Sequence, residues 1–199
     1  MSVLDELEWV HPPDRAAWRE WLVANHAVAR GAWFVSWKKA TGKPRLEYAE
    51  AVEEALCVGW VDSTARTVDD ERSRLLMTPR KRGSGWSRPN KERIERLSAA
   101  GLMLPAGLAV VEAARADGSW TALDDVENLV EPDDLRAALD AEPAARAFWD
   151  AFPRSAKRGI LDWIRLAKRP ETRARRIAET VTLAARNERA NQWTRPPGG

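Results

Sequence analysis

Between Glu53 and Asn90 the chain gathers Cys57, Gly59, Trp60, Asp62, Arg80, Ser84, Trp86, Ser87 and Asn90, in the stretches EEALCVGWVDS and RLLMTPRKRGSGWSRPN. Two indoles supply flat apolar walls. An arginine supplies a planar cation, an aspartate a carboxylate, and serines and an asparagine supply orienting hydrogen bonds, so this set can build a pocket with an aromatic wall and a charged floor. The expected ligand-binding residues are Trp60, Asp62, Arg80, Ser84, Trp86, Ser87 and Asn90. In this reading Trp60 and Trp86 stack on the ligand or wall its pocket, and Arg80 pairs with its negative group. Ser84, Ser87 and Asn90 orient it, while Asp62 positions Arg80 or accepts a proton.

Alternatives stand beside each role. Asp62 follows Trp60 by two residues, so in a strand both side chains share a face, and a buried carboxylate there needs a partner. Arg80 can be that partner in a structural ion pair, or Asp62 can serve a ligand or act as a general base. Arg80, Lys81, Arg82, Ser84, Ser87 and the amides of Gly83 and Gly85 can form an anion cradle. The Gly-Ser-Gly lacks the ending of a phosphate-binding loop, and a simple mobile loop is the other reading. Trp86 either stacks on a ligand or staples the loop to the body of the protein.

Cys57 lies on an apolar helical face and reads as a core residue. The chain has only His11 and His26, both outside the motif region, so no Cys-His nucleophilic pair is supported. Their spacing does not suit a helical metal site, and one cysteine excludes an internal disulfide and any multi-cysteine metal centre. No metal and no cofactor are expected, and no catalytic constellation names an enzyme class. Lys38 and Lys39 end a strand near the motif, as a cation source or as a solvated strand end.

Charge is segregated along the chain. Residues 1–71 hold 8 basic and 13 acidic side chains, residues 72–96 hold 9 and 2, residues 97–153 hold 3 and 11, and residues 154–189 hold 11 and 4. Such blocks either pair with one another or present anion-binding surfaces. The late run RLAKRPETRARR, near Trp163 and Trp193, makes nucleic acid the alternative partner to a small anionic or polar ligand. The start MSVLDELEWV carries acids where a secretory signal carries lysines, and no apolar stretch is long enough to span a bilayer, so a cytoplasmic protein without a membrane partner is expected.

The elements that must hold the motif follow from spacing and caps. Asp14 caps a helix to His26 bearing Trp18, Trp21 and Leu22; AWFVSWKK after Gly31 reads as a strand. Tyr48–Val58 is a helix with Ala51, Val52, Ala55 and Leu56 inward, stopped by Gly59 before the strand WVDS. A strand over 72–78 leads into a loop from Pro79 to Pro89. Beyond it the pattern is helical: Asn90 caps a helix to Ala100, Pro105 starts another ending at Gly118, and Trp120–Glu131 is irregular. Pro132 and Pro143 start short helices, Ser155 caps a longer one with Ile160, Trp163, Ile164 and Ala167 on one face, and Pro170 opens the last, to near Arg189. The fold class is α+β and mostly α-helical, a helical body with a small antiparallel sheet in the N-terminal half. A single domain, 1–199, is expected, with a mixed α/β part over 1–90, a helical part over 91–190 and a frayed tail over 191–199.

The stretch YAEAVEEALCVGWVDS, then TPRKRGSGWSRPN and GLMLPAG, resembles the YdeI/OmpD-associated family, whose members carry the label of bacteriocin-protection proteins. WREWLVANH, AWFVSWKK and DWIRLAKRPETRARRI extend the resemblance over most of the chain. Its motif residues match at Cys57, Gly59, Trp60, Asp62, Thr78, Pro79, Arg80, Ser84, Trp86, Ser87 and Asn90, with Val61 where isoleucine is more usual. The resemblance implies a bacterial protein of stress or bacteriocin protection, and it implies no particular reaction. A nucleic-acid or protein interaction module using the basic segments is the second expectation.

Overall fold

The computed structural model describes Leu4 and residues 6–192, so from residue 193 the expected frayed tail lies outside the described residues. The chain divides after Thr121 into two compact units. The first of them takes in the mixed α/β part read over 1–90 together with the two helices that follow it, which join the core of the sheet. Each unit has a hydrophobic core of its own.

In the first unit β1 (Glu8–Val10), α1 (Arg15–Asn25), β2 (Ala32–Trp37), α2 (Tyr48–Cys57), β3 (Trp60–Thr67) and β4 (Arg72–Pro79) precede α3 (Arg88–Ala99) and α4 (Pro105–Ala116). The strand order is β1-β2-β4-β3. β2, β4 and β3 are antiparallel as expected, but the sheet is mixed, since β1 lies parallel to β2 with Trp9 opposite Trp33. β1 is not foreseen from the sequence because three residues carry too little alternation to be seen. β3 runs well past WVDS and contains a register shift between Asp62 and Ala65.

The caps explain the helix starts. Asp14 accepts a 2.9 Å hydrogen bond from the Ala17 amide, as its position before α1 requires. Helix α3 starts earlier than expected, because Ser87 rather than Asn90 is the N-cap residue and Pro89 sits in the first turn, where its missing N–H costs nothing. Tyr48–Cys57 buries Ala51, Val52, Ala55, Leu56 and the lone cysteine, Cys57. The same helix buries Glu53 and Glu54. Arg15 reaches both carboxylates, at 3.0 and 2.6 Å, Arg19 reaches Glu54 at 2.7 Å, and Arg96 reaches Glu53 at 2.7 Å. Burial pushes the Glu53 carboxyl up, and Arg96 and Arg15 more than reverse it, leaving it below its ordinary value.

Helix α4 lies directly on the end of α2. The Leu104 amide donates to the Cys57 carbonyl at 3.0 Å, and a Cβ placed on Gly107 would stand 2.3 Å from that same oxygen. Gly59, at φ +80°, meets α4 one turn on, where a Cβ would come within 2.7 Å of Val110. Only glycine fits either position.

The second unit holds α5 (Asp124–Asn128), α6 (Asp133–Asp140), α7 (Pro143–Ala151), α8 (Arg154–Arg165) and α9 (Pro170–Ala184). The segment read as irregular therefore contains one short helix, and α9 ends before Arg189. α8 is preceded by Pro153 rather than capped by Ser155. Leu135, Leu139, Trp149, Ile160, Ile164 and Ile177 form its core. Glu131 accepts from the Trp149 indole and from Arg146, both at 2.7 Å. No helix among the described residues is long and apolar enough to cross a membrane.

The seam of α2 and α4 gives a direct test. Gly107→Ala forces backbone apart and is expected to destabilise the first unit by about 1–3 kcal/mol, whereas Gly159→Ala, with open space around it, is expected to be neutral or stabilising by up to about 1 kcal/mol. Chemical denaturation followed by tryptophan emission measures both; equal stabilities for the two variants would refute the close-packed seam.

Candidate functional site

The loop after β4 leaves the sheet through a backbone anchor, the Arg80 amide donating to the Gly59 carbonyl at 3.0 Å. It then turns back at Lys81–Ser84, where the Ser84 amide and hydroxyl both donate to the Lys81 carbonyl, at 3.2 and 2.7 Å. The Arg80 guanidinium lies over the Trp86 indole, its Cζ 3.8 Å from the ring centroid. Its Nη2 donates to the Gly85 carbonyl at 2.5 Å and reaches the Ser84 carbonyl at 3.5 Å. Its Nε is buried without an acceptor among the described residues. Burial lowers the Arg80 pKa to about 10, with Asp62 pulling the other way.

Trp86 is 1% exposed and packs on Trp120, with ring centroids 5.0 Å apart. It therefore staples the loop to the core while also carrying Arg80. A cleft of about 220 Å³ opens between this loop and α4. On the loop side it is lined by Arg80, Lys81, Arg82, Gly83, Ser84 and Trp86. On the helix side stand Ala109, Val110, Ala113 and Ala114, with Asp117 and Ser119 just beyond the helix end.

Arg82, Asp117 and Ser119 complete the polar part of its lining. Arg82, 84% exposed, faces Asp117 at 3.6 Å. The Ser119 hydroxyl, the Ser119 amide donating at 3.0 Å, and Arg82 together hold the Asp117 carboxyl below its usual range. Ser119 itself is 6% exposed. Its Oγ is buried against Asp117, whose carboxyl it helps to hold down.

Of the seven residues expected to bind ligand, Arg80, Ser84 and Trp86 line this cleft, and Trp60, Asp62, Ser87 and Asn90 do not. Trp60 is a core residue, its indole donating to the His26 carbonyl at 3.3 Å and set edge-on to Trp21. Asp62 accepts a 2.6 Å hydrogen bond from Tyr48. Its link to Arg80 is electrostatic, opposing the lowering of the guanidinium pKa by burial. Asn90 accepts from Arg93 at 2.9 Å, and Ser87 stands at the start of α3. Lys38 donates to the Asp69 carbonyl at 2.7 Å, away from the cleft lining.

The α4 wall and Ser119 are not legible from the sequence as parts of a site. Ala109, Val110, Ala113 and Ala114 look like an ordinary helix face, and only the small size of the residues at 106, 107, 109, 113 and 114 signals a helix that can approach its neighbours closely.

Comparison with known families divides the chain in two. Residues 10–110 match a domain of unknown function (DUF8412). Residues 128–187 match a family described as bacteriocin-protection, YdeI or OmpD-associated. The YdeI/OmpD-associated resemblance is thus upheld over the later helical segment with DWIRLAKRPETRARRI, while the motif between Cys57 and Asn90 falls within the other family's match. No curated protein matches the chain. No solved structure matches it either.

Tyr48 allows the neighbourhood of Asp62 to be read in solution, because it is the only tyrosine. Burial and the hydrogen bond to Asp62 raise its pKa to about 12. The folded state thus favours the neutral phenol, a contribution complete below the ordinary value near 10 and lost as pH rises from there through about 12. Ultraviolet titration of tyrosinate is expected to show that displaced midpoint, and Asp62→Asn to bring it down. An unshifted midpoint in folded wild-type protein would refute the Tyr48–Asp62 contact.

Proposed function

We propose, for a chain that belongs to the DUF8412 family and whose residues 128–187 match the YdeI/OmpD-associated family, that its first unit binds a small anionic or polar ligand in the cleft between the 80–86 loop and α4. The observation that carries this reading is Arg80: a guanidinium pressed on an indole, partly drawn out of water, with its buried Nε unpartnered among the described residues. A cation met only by two carbonyls, an indole and the more distant field of Asp62 is costly to bury, and an anion relieves the cost.

In this reading Arg80 pairs with the ligand, Trp86 fixes the plane of the guanidinium, and Lys81, Arg82 and Ser84 attract and orient the ligand at the mouth. Asp62, Trp60, Ser87 and Asn90 act from behind: Asp62 by its field on Arg80, Trp60 by holding the start of β3 in the core, and Ser87 and Asn90 at the first turn of α3. The protein is proposed to act in the bacterial cytoplasm, in stress or bacteriocin protection, the latter being the role that the family matched by residues 128–187 is named for.

Nucleic acid is the second reading, and one observation bears on it. Many cations of the basic blocks already have partners within their own unit, among them Arg96 with Glu53, Arg158 with Glu127, and Arg173 with Asp134. Lys168, Arg169 and Arg175 near the start of α9 are what the second reading rests on.

Native mass spectrometry of protein purified gently at low salt from a bacterial host tests both. A retained small mass in wild type, absent from Arg80→Ala with an unchanged circular dichroism spectrum, is the expected result. Retained oligonucleotide, stripped as salt rises from about 50 to 200 mM, would favour the second reading. A bare chain in both samples would overturn the cleft as a binding site.

A further inference from the structure

The sheet of the first unit has two unlike faces. Strand alternation puts Phe34 and Met77 into the core with α1 and α2. It turns Trp33, Val35 and Trp37 of β2, with Leu76, Arg74 and Arg72 opposite them on β4, to the other side. Trp9 of β1, opposite Trp33, and Arg66 of β3, opposite Arg74, extend this second face across all four strands. Trp33, Val35 and Leu76 are buried on it, yet they belong to neither hydrophobic core.

What lies against Trp33 is cationic and aromatic. The Arg74 guanidinium stands 4.2 Å from the Trp33 ring centroid and 4.3 Å from that of Trp9, and Arg66 reaches Trp33 at 5.5 Å. Toward the turn between β3 and β4, Lys43 and Arg72 lie 4.1 and 6.0 Å from the Trp37 ring. Those two cations are already paired, with Glu71 and Asp69 of the turn. Arg66 and Arg74 have no carboxylate partner among the described residues, and the buried Nε of Arg74 has no acceptor among them. Trp9 is 48% exposed and Arg66 is exposed. None of the strand residues that point to this side is acidic.

Unpaired cations beside an open indole, with no carboxylate among them, are complementary to a polymer that carries both negative charge and flat, unpaired rings. We propose that this second face of the sheet binds single-stranded nucleic acid, with a base stacked on Trp9 and the neighbouring phosphates at Arg66 and Arg74. Each demand excludes a competitor. An acidic peptide would satisfy the arginines and leave the indole without a ring to stack on. A duplex keeps its base faces inside its own stack, where a sheet cannot reach them. Every base has a π-face, so little sequence preference is expected. Trp37, about 13 Å along β2 from Trp33, continues the platform toward a further base. The inference does not rest on the Arg80 cleft, and it places the strand on the first unit rather than at the start of α9.

Fluorescence anisotropy of a labelled oligothymidylate with the full chain tests it. A strand of about 8 nucleotides suits a site of the roughly 4–16 that single-strand-binding folds cover. At about 50 mM salt it is expected to bind at least about tenfold more tightly than a duplex of equal length. Trp9→Ala is expected to weaken binding about tenfold, as for the loss of one stacked base, and Trp9→Phe to restore most of it. Arg66→Ala is expected to reduce the slope of log affinity against log salt by about 0.7. Both alanine variants replace exposed side chains and are expected to keep the wild-type circular dichroism spectrum. No binding, or a duplex bound as tightly as the single strand, would overturn the proposal. A glutamate-rich peptide that competes as well as the oligonucleotide would overturn the ligand class. Affinity kept in Trp9→Ala and Arg66→Ala, but lost when Lys168, Arg169 and Arg175 are all replaced by alanine, would move the strand to α9 and overturn the sheet as its site.

Discussion

The first unit depends on a backbone-to-backbone approach at one residue without a side chain. Gly107 lets α4 settle onto the last turn of α2, against the Cys57 carbonyl, and Leu104 donates to that same oxygen. One turn further along, Val110 closes over Gly59, whose own carbonyl receives the Arg80 amide. Both sides of the cleft are thereby referred to one short stretch of chain, Cys57–Gly59. A separation set by covalent backbone and a hydrogen bond is much stiffer than one set by long side chains, which is the condition for a small site that must discriminate.

Charge does the complementary work of joining elements distant in sequence. Glu53 and Glu54, neighbours on α2, draw in Arg15 and Arg19 from α1 and Arg96 from α3. Buried carboxylates so surrounded hold helices in one arrangement, because any other arrangement strands them. The alternating acidic and basic blocks of the sequence resolve in part into such pairs, and this is why net charge by segment is a poor guide to free surface potential here. The second unit also ties its elements together by ion pairs at Glu127, Glu131 and Asp134, of which Glu127 alone is buried.

Much of the fold is legible in the sequence because its signals are local. Asp14 before α1, Pro105 at the start of α4 and Gly59 after α2 each do locally what their residue types require. What escapes is of two kinds. β1 and α5 are too short to carry a period, and β1 exists because β2 offers a partner. The start of α3 shifts because a serine and an asparagine compete for the cap, and Pro89 favours the earlier one. For the candidate site, Arg80, Ser84 and Trp86 line one cleft, since they lie in one loop. Residue chemistry groups Trp60 and Asp62 with them by proximity in sequence, whereas β3 directs Trp60 into the core and Asp62 to Tyr48. The α4 wall is invisible because an alanine on a wall and an alanine in a core have the same spelling.

The register shift between Asp62 and Ala65 has a bearing on how copies of this protein coexist. β3 is an outer strand of the sheet, eight residues long and largely exposed. A long flat edge of that kind offers free amides and carbonyls to any other extended chain, and is a ready nucleus for fibrous aggregation. An irregular step in mid-strand interrupts the row of evenly spaced groups, and Arg66 beside it adds a charge that an incoming strand would have to accommodate. The segment that carries Asp62 to its tyrosine thus also makes the edge of the sheet a poor template for a second copy of the chain.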